Sequence, residues 1–98
     1  MDPTRELHPE IFITKYLIKN MHDNRGVILF ADLHGHSRKK NIFMYGNGVK
    51  GETKHKEKIF PYMLEKQAEV FSYQDCAFSV QRAKEGTGRV VGWKELGI

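Results

Sequence analysis

The stretch VILFADLHGHSRKK, residues 27–40, joins an apolar run to two histidines and a basic cluster. Five apolar residues without alternation, Val27 to Ala31, predict a β-strand that is buried on both faces. Such strands belong to sheets that are covered by helices on both sides. Because a predicted helix ends just before this run, at Gly26, the order of helix, tight turn and strand predicts half of an α/β unit.

An amphipathic helix is predicted before this strand. Pro9 suits the first helical position, and Glu10 is favourable in the first turn. Gly26 can take the left-handed conformation that commonly ends a helix. A buried apolar stripe is predicted along the helix from the spacing of its apolar side chains, which are Phe12, Ile13, Tyr16, Leu17 and Met21.

The remaining elements are predicted from shorter signals. The run NIFMY, residues 41–45, is a second strand candidate, and the turn sequence Gly-Asn-Gly follows it at 46–48. Pro61 predicts the start of a second helix that reaches about Phe71. The tail 85–98 is ambiguous, since its valines and tryptophan favour a strand whereas Lys-Glu-Leu-Gly resembles a helix end.

Length and composition predict the general class of the protein. The chain has 98 residues, enough for one small domain, and no window approaches the roughly 18 apolar residues that span a bilayer. We therefore predict no membrane association. A single cysteine, Cys76, cannot form an internal disulfide, which indicates a reducing compartment and makes the cytosol the default location. Aromatic neighbours suggest that Cys76 is a buried structural thiol.

The positive charge of the chain is unevenly distributed. Sixteen Lys and Arg against twelve Asp and Glu give a formal net charge of +4, and much of the excess lies at 37–41 (SRKKN) and 50–58 (KGETKHKEK). Basic patches of this kind can steer anionic partners such as nucleic acid or acidic peptides. The alternative for 50–58 is a solvated loop. Nucleic acid is the less favoured partner, because no RNP-like or zinc-finger pattern accompanies the tyrosines that could stack on bases.

The two histidines of the quoted stretch are candidate metal ligands. In open α/β sheets, ligands bind beyond the carboxyl ends of the strands, where His34 and His36 would lie. Asp32 could orient one of the imidazoles. Catalytic zinc normally needs three protein ligands, and the sequence contains no His-x-x-Glu or similar second cluster. The residues therefore predict at most part of a metal site, with two solvated histidines as the alternative.

The stretch FADLHGHSRKKNIFMYGN, residues 30–47, closely resembles a signature of the cytosolic carboxypeptidases, zinc peptidases that trim glutamates from tubulin tails. The likeness continues in LHPEIF at 7–12 and in FSVQRAKEGTGRVVGWKELGI at 78–98. Position 31, often a cysteine in that family, is Ala31 here. The resemblance implies an α/β/α carboxypeptidase fold, in which helices flank a mixed central sheet, and a helix over Gly88 to Leu96.

The resemblance also implies roles for particular residues. His34 matches the lone histidine that completes the family's zinc site, so it is the expected metal ligand. The residues expected to bind substrate are His36, Ser37, Arg38 and Arg89. Among them, Arg89 lies in GTGRVV, which resembles the part of the fold that lines the pocket for the last substrate side chain. A guanidinium there could pair with a glutamate carboxylate through two hydrogen bonds.

The same resemblance implies that residues 1–98 form a central-to-C-terminal part of a catalytic domain, incomplete on both sides. The other zinc ligands and the carboxylate clamp are expected before Met1, and the general base after Ile98. No catalytic residue is therefore expected in this chain. The implied partners are acidic C-terminal tails such as those of tubulin, in the cytoplasm at microtubules or cilia. The alternative is a non-catalytic basic module that binds acidic tails or nucleic acid through residues 38–40.

Overall fold

Helices and short turns make up the regular structure of the computed structural model, which describes residues 2–98. Helix α1 is Pro9–Arg25, α2 is Ile59–Gln67, and α3 is Gly88–Val91, which continues as a π-helical turn, Gly92–Leu96. Four 3₁₀ turns join them: Gly51–Thr53, Lys56–Lys58, Tyr73–Asp75 and Arg82–Lys84. Among the described residues, no helix has the length and apolarity that crossing a bilayer requires.

The chain divides into two compact units. The first contains the residues up to Asp32 together with Ala83–Ile98, and thus holds α1 and α3. The second is Leu33–Arg82 and holds α2. Among the described residues, the buried apolar side chains are Val90 in the first unit and Phe71 and Pro61 in the second.

Helix α1 is confirmed, but the burial predicted for its apolar stripe is wrong. Pro9 begins the helix, and the Gly26 N–H ends it by donating to the His22 carbonyl at 2.9 Å, with φ of +74° at Gly26. No residue of α1 is buried, and Ile13 and Leu17 keep 59 % and 55 % of their surface exposed. Within its own unit α1 packs against the π-helical turn, which is too short to cover the whole stripe.

The strand predicted at 27–31 is wrong for the chain described here. Residues 27–36 have no regular secondary structure, and no β-bridge within residues 2–98 involves them. Ile28 is fully exposed, and Leu29 is 69 % exposed. A strand is held by the N–H and C=O groups of a neighbouring strand, and the described residues supply no such neighbour to this stretch. The implied central sheet is therefore not formed by residues 2–98 alone.

The second predicted strand is present as two isolated parallel bridges, which join Ile42 to Phe71 and Tyr45 to Ala77. At the first bridge, the Ile42 N–H donates to the Val70 carbonyl at 3.1 Å, and the Ser72 N–H donates to the Ile42 carbonyl at 2.8 Å. Parallel pairing is the type that α/β sheets use. Two separated bridges do not make a sheet, so residues 41–45 extend without forming a continuous strand.

Helix α2 begins earlier and ends earlier than predicted. Pro61 is its third residue, where the missing N–H costs nothing because the first helical N–H groups have no intrahelical partner. Ala68 turns extended, with φ of −132° and ψ of 109°, and ends the helix. Phe71, predicted to lie in the helix, instead bridges to Ile42 and is 94 % buried (6 % exposed). The backbone bridge between Phe71 and the segment 41–45 therefore outweighs the helical spacing that had placed Phe71 in the helix.

The predicted helix over Gly88 to Leu96 is confirmed. Its first turn is α-helical, its second is π-helical, and Gly97 ends it in the left-handed conformation at φ of +75°. Val90 is completely buried, so this β-branched side chain, which favoured a strand, serves the core of the first unit. A π-helical turn is rare and leaves this segment wider than an ordinary helix.

Exposed apolar residues lead to a prediction for the chain in solution. With Ile28, Leu29 and much of α1 open to solvent, we expect the 98-residue chain to associate, because unpaired extended segments and apolar patches promote self-association. Light scattering at micromolar concentration should give a mass well above the 11.4 kDa monomer. The double variant Ile28→Lys, Leu29→Lys should shift the mass towards the monomer.

Two exposed glutamines of the second unit offer a matched control, since Gln67→Lys with Gln81→Lys adds the same charge at polar positions. This control should associate nearly as strongly as the unmodified chain. A monodisperse monomer with a sharp cooperative melt for the unmodified chain would contradict the prediction.

Candidate functional site

Four of the five predicted site residues lie on one loop of the second unit. His34, His36, Ser37 and Arg38 follow one another between Leu33 and the bridge at Ile42, whereas Arg89 lies in α3 of the first unit. His34, Ser37 and Arg38 are exposed, and His36 is half-buried. The four loop residues are therefore brought together by sequence proximity, and the loop conformation decides what they present.

His36 organises the loop that follows it. Its Nδ1 accepts hydrogen bonds from the backbone N–H groups of Arg38 and Lys39, both at 3.1 Å. Its ring meets Phe43 edge to face, with centroids 5.2 Å apart and planes at 79°. It meets Tyr45 in the same way at 6.2 Å and 83°. The imidazole thus closes a tight turn on one side and packs on aromatic rings on the other.

Lys39 is held within the second unit. Its Nζ donates to the Asp75 backbone carbonyl at 2.6 Å and lies 3.7 Å from the carboxylate Oδ1 of the same residue. The ammonium also lies 4.7 Å from the Phe43 ring centroid and 5.5 Å from that of Tyr45, within cation–π range. Lys39 was predicted to help bind an anionic partner, but its contacts with Asp75, Phe43 and Tyr45 compete with such binding.

Sequence reasoning missed this cluster of Lys39, Phe43, Tyr45 and Asp75. One signal was available: Phe43 and Tyr45 are two residues apart in an extended segment, which places both rings on one face. Asp75, which contacts Lys39, lies 36 residues from it and could not be found from spacing. Arg38 and Lys40, on either side of Lys39 in the sequence, do not belong to this cluster and are exposed to solvent.

The metal prediction can be compared with the donors that this chain brings together. Zinc at a catalytic site takes three protein ligands. Within residues 2–98, no three side chains among His, Cys, Asp and Glu lie close enough to hold a metal ion. These residues therefore do not fit a complete zinc site, and the exposed His34 is at most one member of a ligand set.

Cys76 behaves as the predicted structural thiol, although it is half-buried rather than fully buried. Its sulfur accepts from the Met44 N–H at 3.3 Å and lies 3.5 Å from the Ser72 carbonyl as a weak donor. Burial raises the pKa of the Cys76 thiol, which disfavours the reactive thiolate. A nucleophilic role is therefore not indicated.

The basic segment 50–58 is mostly exposed, as the solvated-loop alternative predicts. Lys54, His55 and Lys58 line a shallow cavity of about 320 Å³ in the second unit. Glu57 lines the same cavity, and its Oε2 is buried without a hydrogen-bond partner. The mixture of charges makes this cavity a poor match for a purely anionic ligand.

Arg89 is half-buried in the first turn of α3, beside the fully buried Val90. A larger cavity of the same unit, about 530 Å³, is lined by α1, Phe30 and the C-terminal helix, but Arg89 is not among its lining residues. Lys15 spans one side of this cavity by pairing with Glu95 at 2.5 Å. The hydrogen bond to Glu95 is the main cause that raises the pKa of Lys15.

Comparison with known proteins gives one consistent result. The chain is 48 % identical to mouse cytosolic carboxypeptidase 3 over 100 residues, which cover 96 % of this chain. It is 48 % identical to human cytosolic carboxypeptidase 2 over 97 residues, again 96 % of this chain. The same identity holds over 94 residues, 93 % of this chain, for cytosolic carboxypeptidase 2 of Xenopus tropicalis. This chain belongs to the cytosolic carboxypeptidase family.

The match covers a small part of each relative. The chain spans about a tenth of the length of the curated carboxypeptidases it matches. No family profile matches the chain, and no solved structure does. Family membership therefore rests on the identity across nearly the whole chain, which includes the loop that carries His34 and His36.

Proposed function

We propose that residues 1–98 form a central-to-C-terminal part of the catalytic domain of a zinc metallocarboxypeptidase. In this proposal, the longer protein removes C-terminal glutamates from acidic protein tails, such as those of tubulin, in the cytoplasm. The observation that carries it is the 48 % identity to cytosolic carboxypeptidases across 96 % of the chain. It is supported by an exposed loop that presents the expected metal ligand beside basic residues.

His34 is the residue that we assign to the metal. Its exposed position on an irregular loop suits a ligand whose partner ligands come from other segments. The remaining zinc ligands, the carboxylate clamp and the general base would lie in the longer protein, because residues 2–98 hold no cluster of three candidate ligands. The isolated chain is then expected to lack catalytic activity.

The remaining roles concern the substrate. Ser37 and Arg38 are exposed three and four positions after His34, and His36 lies between them and the metal ligand in the sequence. We propose that all three line the cleft. Arg38 and Lys40 present positive charge there, which complements a glutamate-rich tail and accelerates its encounter. Arg89 is proposed to recognise the terminal side chain of the substrate.

The first experiment compares the isolated chain with the longer protein. Both are incubated with zinc and a peptide that ends in several glutamates, and free glutamate is measured. We expect release by the longer protein and none by the 98-residue chain above its His34→Ala control, because zinc hydrolysis needs a held metal and a base. Release by the 98-residue chain that His34→Ala removes would contradict the assignment of the missing groups to other segments.

The same samples test the non-catalytic alternative, which the exposure of Arg38 and Lys40 favours. An acidic peptide that binds the longer protein and is never shortened would support a binding module. Shortening of that peptide by one glutamate at a time would support the peptidase. Arg38→Ala with Lys40→Ala should weaken binding of the peptide in either case. The two functions are therefore distinguished by whether a shortened peptide forms, and not by the affinity.

A further inference from the structure

We propose that His36 is a positioning residue, which sets the conformation of the Ser37–Lys39 loop through its Nδ1. The inference deepens the proposed function, on which it rests, since that loop follows the proposed metal ligand His34 and carries Arg38. In this account, His36 acts on the substrate through the backbone that it holds, in addition to lining the cleft.

The first support is the pair of hydrogen bonds at Nδ1. One ring nitrogen accepts from two consecutive backbone N–H groups, those of Arg38 and Lys39, at 3.1 Å each. A side chain that binds N–H groups two and three residues ahead imposes a tight turn, as Asn and Asp side chains do in Asx turns. An imidazole that accepts at Nδ1 carries its proton on Nε2, so the turn also selects one tautomer.

The second support is the way the turn is anchored. The His36 ring packs edge to face on Phe43 and Tyr45, so it is fixed against the bridged segment 42–45. At the other end of the turn, Lys39 is tied to Asp75 by a hydrogen bond of 2.6 Å. The turn is therefore held at both ends within one unit, and Arg38 lies between the two anchors.

This geometry gives the two neighbouring cations different roles. Lys39 anchors the turn, whereas Arg38 is exposed on it and is presented in a conformation that His36 fixes. A preorganised cation binds a carboxylate at a smaller entropic cost than a cation on a mobile loop. His36 would thereby improve recognition of an acidic substrate without contributing charge itself.

Two substitutions of His36 distinguish the effect of its hydrogen-bond acceptor, Nδ1, from the effect of its aromatic packing. His36→Asn keeps an acceptor near the position of Nδ1 and removes the aromatic packing, whereas His36→Phe keeps a ring and removes the acceptor. Exchange of the amide protons of Arg38 and Lys39 with solvent is measured by NMR on the 98-residue chain that also carries Ile28→Lys and Leu29→Lys, the changes in the first unit that should favour the monomer. The amides of Gly46 and Ala77, which bond across the bridge in the same unit, report whether the unit remains folded.

We expect His36→Phe to accelerate exchange at Arg38 and Lys39 by about tenfold, the factor for loss of a typical hydrogen bond. His36→Asn should retain most of the protection, and Gly46 and Ala77 should stay protected in both variants. Unchanged exchange at Arg38 and Lys39 in His36→Phe would overturn the proposal. If His36→Phe also accelerates exchange at the amides of Gly46 and Ala77, the unit has unfolded and the result for His36→Asn decides. Slow exchange of the amides of residues 38 and 39 in His36→Asn would support the proposal, and fast exchange there would overturn it.

A kinetic arm uses the longer protein and a peptide that ends in glutamate. His36→Phe should raise KM more than it lowers kcat, and His36→Asn should restore KM towards the unmodified value. Equal effects of the two variants on KM would overturn a role for the acceptor in substrate recognition. Absence of any peptidase activity would refute the proposed function, whereas the exchange measurement would still decide whether His36 holds the turn.

Discussion

Replacing His34 by Ala in the longer protein is expected to remove both the zinc and the peptidase activity. A catalytic zinc is held by three protein ligands, so loss of one leaves a site with two. Even residues that only orient ligands cost roughly 10- to 100-fold in affinity or activity when mutated, and a direct ligand should cost on the order of a hundredfold or more. Metal analysis of the purified protein and glutamate release from a peptide measure the two effects.

Two other histidines provide controls for this experiment. His36→Asn should leave the zinc stoichiometry nearly intact, because His36 is engaged with the backbone of its own loop. His55→Asn should change neither quantity, since His55 is exposed, and asparagine tolerates its left-handed conformation at φ of +75°. Loss of zinc in His36→Asn, with zinc retained in His34→Ala, would reverse the assignment of the ligand.

Replacing Arg89 by Ala in the longer protein is expected to weaken the preference for a terminal glutamate. If the guanidinium pairs with the substrate carboxylate, its loss leaves that charge without a partner. The kcat/KM for peptides ending in glutamate should then fall, by an amount equivalent to about 2–4 kcal/mol of transition-state stabilisation. Peptides that end in a neutral residue should be affected much less, so the ratio of the two kcat/KM values is the quantity to measure.

Arg89→Lys and Arg38→Ala complete this test. Lysine keeps the charge but cannot form two parallel hydrogen bonds, so Arg89→Lys should recover only part of the preference. Arg38→Ala should lower capture of acidic tails with a smaller effect on the choice of terminal residue. Equal losses for Arg89→Ala on both substrate types would show that Arg89 supports the helix around the buried Val90, and specificity would then pass to Arg38.

Helix α1 could be predicted because its signals are local. Pro9 at the first position and Gly26 after the last residue define α1 without reference to the rest of the chain. The helix at 88–96 needed the family resemblance, since valine at 90 and 91 favours a strand on its own. The structure shows why propensity failed there: Val90 is fully buried, and packing within the first unit outweighs its intrinsic preference.

The strand at 27–31 could not be settled from the sequence because strand formation is not local. An apolar run describes the side chains, whereas a strand exists only when another segment pairs with its backbone. Within residues 2–98, pairing reaches residues 42 and 45 but none of 27–31. Phe71 illustrates the opposite error, because its helical spacing from Leu64 concealed a bridge to Ile42 that lies 29 positions earlier in the sequence.

The loop that carries most of the candidate site residues could be chosen from the sequence, but its internal contacts could not be predicted. The family resemblance picked out His34, His36, Ser37, Arg38 and Arg89. The hydrogen bonds of His36 depend on the loop conformation, and the Lys39–Asp75 contact joins residues that are far apart in sequence. Sequence reasoning therefore treated Lys39 and Arg38 as equivalent cations, which the structure distinguishes.

The most direct test of the central claim is to locate zinc in crystals of the longer protein by anomalous scattering at the zinc edge. The account predicts a single peak about 2.0–2.1 Å from an imidazole nitrogen of His34, the distance of a zinc–histidine bond. His36 should lie outside the coordination sphere, and its Nδ1 should still accept hydrogen bonds from the Arg38 and Lys39 N–H groups. A zinc peak bound by His36, or one that His34 does not reach, would contradict the account.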